Sequence, residues 1–143
     1  MSYRNSNIWN AFLRIYVGLL FLYDVHFKLT PAFFANLRGK LLFFANHGHL
    51  WFYNAFLTHV AVPNAFLFAL LIIMGELFAG IFLTAGFATK AAALVGLFLN
   101  INYLFAMYWI SPLELGINLT LIVCELVIIF TDSGKTLGID ALF

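Results

Sequence analysis

Charge is the scarcest ingredient of this 143-residue sequence. Asp, Glu, Lys and Arg together number 13, or 9%, where a soluble domain carries about 25%. Seven basic against six acidic residues leave a net charge of +1, with no basic stripe to neutralise phosphates, so nucleic acid is excluded as a partner. The single cysteine, Cys124, rules out an internal disulfide and a Cys-x-x-Cys redox pair. Inside an apolar run it reads as a small inert hydrophobe. Also missing are a Gly-rich phosphate loop, a Ser-His-Asp arrangement, a haem-attachment Cys-x-x-Cys-His and a Glu-x-x-His di-metal pattern. The sequence displays no self-contained catalytic motif, and no covalently bound cofactor is expected.

What is present is apolar: 64% of residues are hydrophobic, including 18 phenylalanines. A soluble domain of this size cannot hide that much apolar surface. Crossing a ~30 Å hydrocarbon layer takes about 20 apolar residues, and four stretches qualify: 8–27, 64–87, 91–110 and 115–131. Period-two alternation is lacking, which leaves helices as the way to satisfy the backbone in lipid. The fold class is therefore an all-α integral membrane protein, a four-helix transmembrane bundle in one domain over 1–143. Pro31, Pro63 and Pro112 read as helix starts. The first apolar stretch has no small-x-small cleavage site behind it and is expected to stay as an anchor.

Residues 31–62 break the pattern. Asn46-His47-Gly48-His49 interrupts two apolar runs, and Asn36/Lys40 and Asn54/Thr58 repeat at i,i+4, as polar stripes on short amphipathic helices do. Trp51 and Tyr53 suit the membrane-water boundary. The segment reads as interfacial or re-entrant rather than as a fifth span. Four spans put both termini on one side, with Arg4, Lys90 and Lys135 there against Lys28, Arg38 and Lys40 opposite. With Arg14 just inside, the balance favours cytoplasmic termini.

An ionisable side chain within a span is costly and needs a partner. At 1.5 Å per residue, Arg14 lies roughly 10 Å into the first span, Glu125 about 9 Å from the end of the fourth and Glu76 about 16 Å from the end of the second. These ends share a side, so Arg14, Glu76 and Glu125 are expected to meet as an internal polar cluster. Two uses stay open: an ion cluster that fixes helix register, or a site where the second carboxylate relays protons or gates a quinone. Asp24 and Lys28, four residues apart, read as a solvated surface pair. Asn100, Asn102 and Tyr103 read as interhelical hydrogen bonds. His26, His47, His49 and His59 include a His-x-His spacing but no neighbouring carboxylate or cysteine. Interfacial hydrogen bonding is their expected use, and no metal site is expected.

Three segments carry a family resemblance. The first runs from Arg14 through Gly18 to Tyr23 and on to Lys28-Leu29. The second is Gly75-Glu76-Leu-Phe-Ala-Gly80, continuing through Ala85-Gly86 to Lys90-Ala-Ala-Ala. The third is Asn118-Leu-Thr-Leu, running to Thr131-Asp-Ser-Gly134 and Leu137-Gly-Ile-Asp140. Together they resemble the DoxX/DoxD-like family of small four-helix membrane proteins, relatives of a thiosulfate:quinone oxidoreductase subunit. The resemblance matches Arg14, Glu76, Lys28, Lys90 and Asp140 to the family's recurring polar positions. It implies a small subunit of a membrane oxidoreductase complex, with quinone as the redox partner molecule, in a bacterial or archaeal cytoplasmic membrane. The alternative is a purely structural accessory subunit whose Phe-rich faces pack against larger membrane subunits, pigments or lipids.

Overall fold

A computed structural model describes the backbone of residues 3–142 and the side chains of 8–142, so the Arg4 side chain lies outside the described residues. The described residues form helices joined by short turns, with no strand among them. Helix α1 spans Tyr3–Lys28, α2 Pro31–His47, α3 Trp51–Phe56, α4 Ala65–Ala85, α5 Thr89–Met107 and α6 Pro112–Phe130. A π-helical turn, Leu57–Ala61, extends α3, and two 3-10 turns, Ser133–Lys135 and Ile139–Leu142, close the chain. Among the described residues four helices are long and apolar enough to cross a membrane: Ile8–Lys28, α4, α5 and α6.

Local chemistry sets the boundaries. Thr30 accepts a hydrogen bond from the Phe33 N–H at 3.3 Å, and Pro31 opens α2. Ser111 does the same for the Glu114 N–H at 3.2 Å, with Pro112 opening α6 and Glu114 in the first turn. A hydroxyl cap followed by proline satisfies one orphan N–H and spends none, since proline lacks the donor. Pro63 differs: it sits in the turn before α4, which begins at Ala65. Helix α4 stops at Gly86, whose φ of +66° is the left-handed conformation that glycine adopts without penalty. The Phe87 N–H reaches back to Phe82 O at 3.0 Å, closing the helix C-terminus.

Glycine also fixes how α1 lies on α4. A Cβ at Gly18 would fall 2.6 Å from the Thr84 N, and one at Gly80 would fall 2.8 Å from the Leu22 side chain. The two backbones therefore approach closely and run antiparallel. This register puts Arg14 level with the end of α4, and Lys28, the last residue of α1, level with its middle. The half of α4 that α1 leaves bare is covered by the α2–α3 hairpin.

The interior is accordingly two apolar cores. One contains Val17, Phe21, Ala79, Leu83, Leu99 and Ile128. The other, under the hairpin, contains Leu37, Leu41, Tyr53, Leu57, Ala69 and Ala106. Along α4 and α5, Glu76 and Tyr103 fall between the two. Residues 31–62 thus form a helical hairpin packed on α4 and α5. The Tyr53 hydroxyl ties it down by donating to Asn102 O at 3.1 Å. Burial pushes that phenol up to about 12, so it remains a donor at any physiological pH.

Candidate functional site

The polar layer between the cores is assembled by three helices. The Lys28 ammonium, at the C-terminal end of α1, donates to Asp24 Oδ2 at 2.6 Å and to Glu76 Oε1 on α4. The Tyr103 hydroxyl on α5 donates to the same Glu76 oxygen at 2.5 Å. The ammonium also lies 4.9 Å from the centre of the Tyr103 ring, a cation–π approach. Glu76 is fully buried, the Lys28 side chain is 18% exposed and that of Asp24 56%. The cluster therefore opens at Asp24 and ends inside at Glu76. Glu76 Oε2 has no hydrogen-bond partner among the described residues.

One turn along α5 from Tyr103, the Asn100 amide donates to Glu125 Oε1 at 2.7 Å. Glu125 is fully buried, and its Oε2 is likewise unpartnered among the described residues. Gly96 makes the room: a Cβ there would stand 2.6 Å from Glu125 Oε1 and 2.9 Å from the Phe21 ring.

Arg14 belongs to neither carboxylate. Its guanidinium donates to Leu83 O and to Thr84 O (3.3 Å) at the end of α4, and to Thr136 O (3.3 Å) and Leu137 O (2.8 Å) of the C-terminal segment. The expected cluster of Arg14, Glu76 and Glu125 is therefore three separate stations. The reason is register: Arg14 meets α4 seven or eight residues beyond Glu76, about 11 Å along the helix. There the free carbonyls of a helix C-terminus are the natural partners of a buried cation. Lys28 is a second correction, since it turns inward to Glu76 instead of forming a solvated pair with Asp24 alone.

The remaining polar residues sit at the two ends. Asp140 caps α5 from 51 residues away, accepting from the Ala88 N–H at 2.7 Å and the Thr89 N–H at 3.0 Å. Its cap explains why α5 starts at Thr89, two residues before the apolar run. Lys90 pairs with Asp132 at 3.5 Å on the exposed rim. His47 Nδ1 donates to Phe43 O (2.9 Å) and the ring stacks on Trp109, His49 meets the edge of the same indole, and His26 meets Phe27. His59 lies in the exposed π-helical turn. Among the described residues no three His, Cys, Asp or Glu side chains gather as metal ligands. Asn102 and Asn118 donate within their own helices, to Phe98 O and Glu114 O. The interhelical hydrogen bonds expected of Asn100, Asn102 and Tyr103 are present: Asn100 and Tyr103 donate to Glu125 and Glu76, and Asn102 accepts from the Tyr53 hydroxyl.

Lys28, Glu76 and Tyr103, from α1, α4 and α5, thus join in the middle of a bundle of four helices long and apolar enough to cross a membrane, and comparison with known families decides which bundle it is. Residues 9–143 match the family model described as TQO small subunit DoxD. The chain belongs to the DoxD family. No curated protein and no solved structure gives a significant match. The DoxD match spans all four membrane helices and the hairpin, so Lys28, Glu76, Tyr103, Asn100, Glu125, Arg14 and Asp140 all lie within it. Of these, Arg14, Glu76 and Glu125 differ from expectation in staying apart, and Lys28 differs in reaching Glu76 as well as Asp24. The signal was available in the quoted Lys28-Leu29 pair, but an acid four residues earlier suggested a simpler partner.

In this DoxD chain Asp140 also supplies a pH dependence. Burial alone would raise its carboxyl, but the donors at Thr89 and Ala88 and the positive Arg14 outweigh it and hold the group below the usual aspartate range. A carboxyl depressed in the folded state adds stability above its unfolded value, near pH 4, and that stability is lost as pH falls through the folded value. The thermal midpoint of the detergent-solubilised protein should therefore fall on acidification below about pH 4. Asp140→Asn should lower the neutral-pH midpoint and flatten that acid limb. An unchanged acid limb in the variant would place the titration elsewhere.

Proposed function

We propose that this DoxD chain is the membrane subunit through which a quinone oxidoreductase handles the protons of its quinone substrate, and that Lys28, Glu76 and Tyr103 do so. Reducing a quinone to a quinol takes two electrons and two protons. The electrons are assigned to the partner subunit and the protons to this chain. One observation carries the reading: a fully buried carboxylate, Glu76, with one oxygen held by two donors and the other free of any described partner.

The chemistry of this donor set fits a quinone. Its carbonyl needs a hydrogen-bond donor, which the Lys28 ammonium with its three N–H groups offers, and the quinol hydroxyl needs an acceptor, which Glu76 Oε2 offers. Lys28 bridges Glu76 to the partly exposed Asp24, extending the hydrogen-bonded chain from the inner carboxylate to the outer face of α1. By the same reading the chain sits in a bacterial or archaeal cytoplasmic membrane with both termini cytoplasmic, and thiosulfate is the electron source.

The test is the intact complex carrying Glu76→Gln, assayed with thiosulfate and a soluble quinone. Positioned proton transfer contributes about 10²–10⁴-fold, so kcat should fall about a hundredfold while subunit content and assembly stay unchanged. A Glu76→Gln complex that assembles and turns over normally would assign the chain a purely structural accessory role instead.

A further inference from the structure

We propose that the outward face of α1 is a docking seam for a transmembrane helix of the partner subunit, and that this helix carries a lysine or arginine level with Asp24. The inference rests on the reading of the chain as a subunit and adds which face meets the partner and with what chemistry.

The first observation is spacing. Trp9, Phe12, Tyr16, Leu19, Tyr23 and His26 follow one another at intervals of three, four, three, four and three residues. All six are exposed, the first five by 51% to 72%. A 3-4 repeat of large side chains lets two helices pack knobs into holes at a crossing angle of about 20°. Helix α1 shows that seam to the outside of the bundle, while its Val17, Phe21 and Val25 face the core.

The second observation is where polar atoms lie. Counting from Arg14, which is level with the end of α4, Tyr23, Asp24 and His26 lie about 14–18 Å further along α1. That is the middle of a ~30 Å layer. Among the described residues neither the Tyr16 nor the Tyr23 hydroxyl has a hydrogen-bond partner, nor has a His26 ring nitrogen. Unsatisfied polar groups facing hydrocarbon are costly. The outward faces of α4 and α6 are different in kind. Met74 and Ile81, or Val123 and Leu126, offer lipid no polar side chain, and the exposed Thr120 hydroxyl is satisfied by Gly116 O at 2.8 Å. Lipid suits α4 and α6, and protein suits α1.

The third observation is charge. Among the described residues Lys28 is the one cation paired with Asp24 and Glu76, so with both carboxylates ionised the group is one positive charge short, and its open side is Asp24. A basic residue on the docked helix restores the balance. A second copy of this chain does not, because a parallel pairing of two α1 helices would bring Asp24 towards Asp24, a like-charge contact.

The experiment places a photo-crosslinking amino acid at Leu19, on the seam, or at Val123, on α6, in the full chain within its native membrane complex. Irradiation is followed by mass spectrometry of the crosslinked peptides. Leu19 should capture a transmembrane peptide of the partner subunit with Lys or Arg within one turn of the level of Asp24, and Val123 should yield lipid adducts. In parallel, Asp24→Ala should reduce recovery of that partner about tenfold with the helical content of this chain unchanged. Capture from Val123 and lipid or self-adducts from Leu19 would overturn the seam while leaving the subunit reading intact. A partner peptide without a basic residue, or unchanged recovery with Asp24→Ala, would overturn the charge assignment. Capture of partner from neither position would overturn both the seam and the subunit reading.

Discussion

Lys28→Met should strongly destabilise this protein, and adding Glu76→Gln should restore much of the stability without the activity. Lys28 is the cation held against a carboxylate that has no exposure at all. Removing one member of a buried pair costs about 3–5 kcal/mol, because the other charge stays behind unpaired. Domains of this size are stable by only about 5–15 kcal/mol, so the single variant should lose a large share of that margin. Removing the second charge relieves the penalty: a glutamine at 76 still accepts from the Tyr103 hydroxyl and needs no cation. Unfolding in a mixed-micelle denaturant titration would show the two single variants and the double variant as a cycle with strong coupling. If Lys28→Met unfolds at the wild-type midpoint, Lys28 does not hold Glu76. If the double variant regains both stability and quinone turnover, the layer is architectural.

The second large effect is at Arg14. Its guanidinium joins carbonyls at the end of α4 to carbonyls at 136 and 137, so one side chain fastens the C-terminal segment to the bundle. Hydrogen bonds from a charged donor contribute about 1.5–3 kcal/mol each when isolated, but those sharing one side chain are not additive. Arg14→Leu is expected to cost about 3 kcal/mol by that reckoning and to expose residues 133–142 to protease. Arg14→Lys should recover only part of the loss, since a compact ammonium lacks the planar fork that reaches both carbonyl pairs. Limited proteolysis followed by mapping of the C-terminal fragment reads this directly. Full protection in Arg14→Lys would show that charge alone suffices.

The membrane helices were legible because their signals are local. Apolar run length gave each span to within a few residues, and Thr30-Pro31 and Ser111-Pro112 mark helix starts wherever they occur. The site was legible only as an inventory. Arg14, Glu76 and Glu125 each lie in a span and are buried, as the cost of intramembrane charge requires. Their grouping depended on the offset between α1 and α4, which Gly18 and Gly80 set through contacts that no single helix reveals. Depth counted from the start of an apolar run therefore put Arg14 at the wrong level. The same offset carried Lys28 to mid-bundle, where it meets Glu76 in addition to its i,i+4 partner Asp24. Asp140 stands for another limit: its role as a cap on α5 links residues 51 positions apart, beyond any periodic pattern.

The role of Glu76 can be observed without counting turnovers. In the intact complex with ¹³C-glutamate incorporated, the infrared difference spectrum between quinone-loaded and quinone-free states should show the carboxyl band of one glutamate shifting. That band should vanish in Glu76→Gln and persist in Glu125→Gln. A quinone-induced difference spectrum in which no glutamate band moves, or in which the moving band survives Glu76→Gln, would contradict proton handling at the Lys28–Glu76–Tyr103 layer.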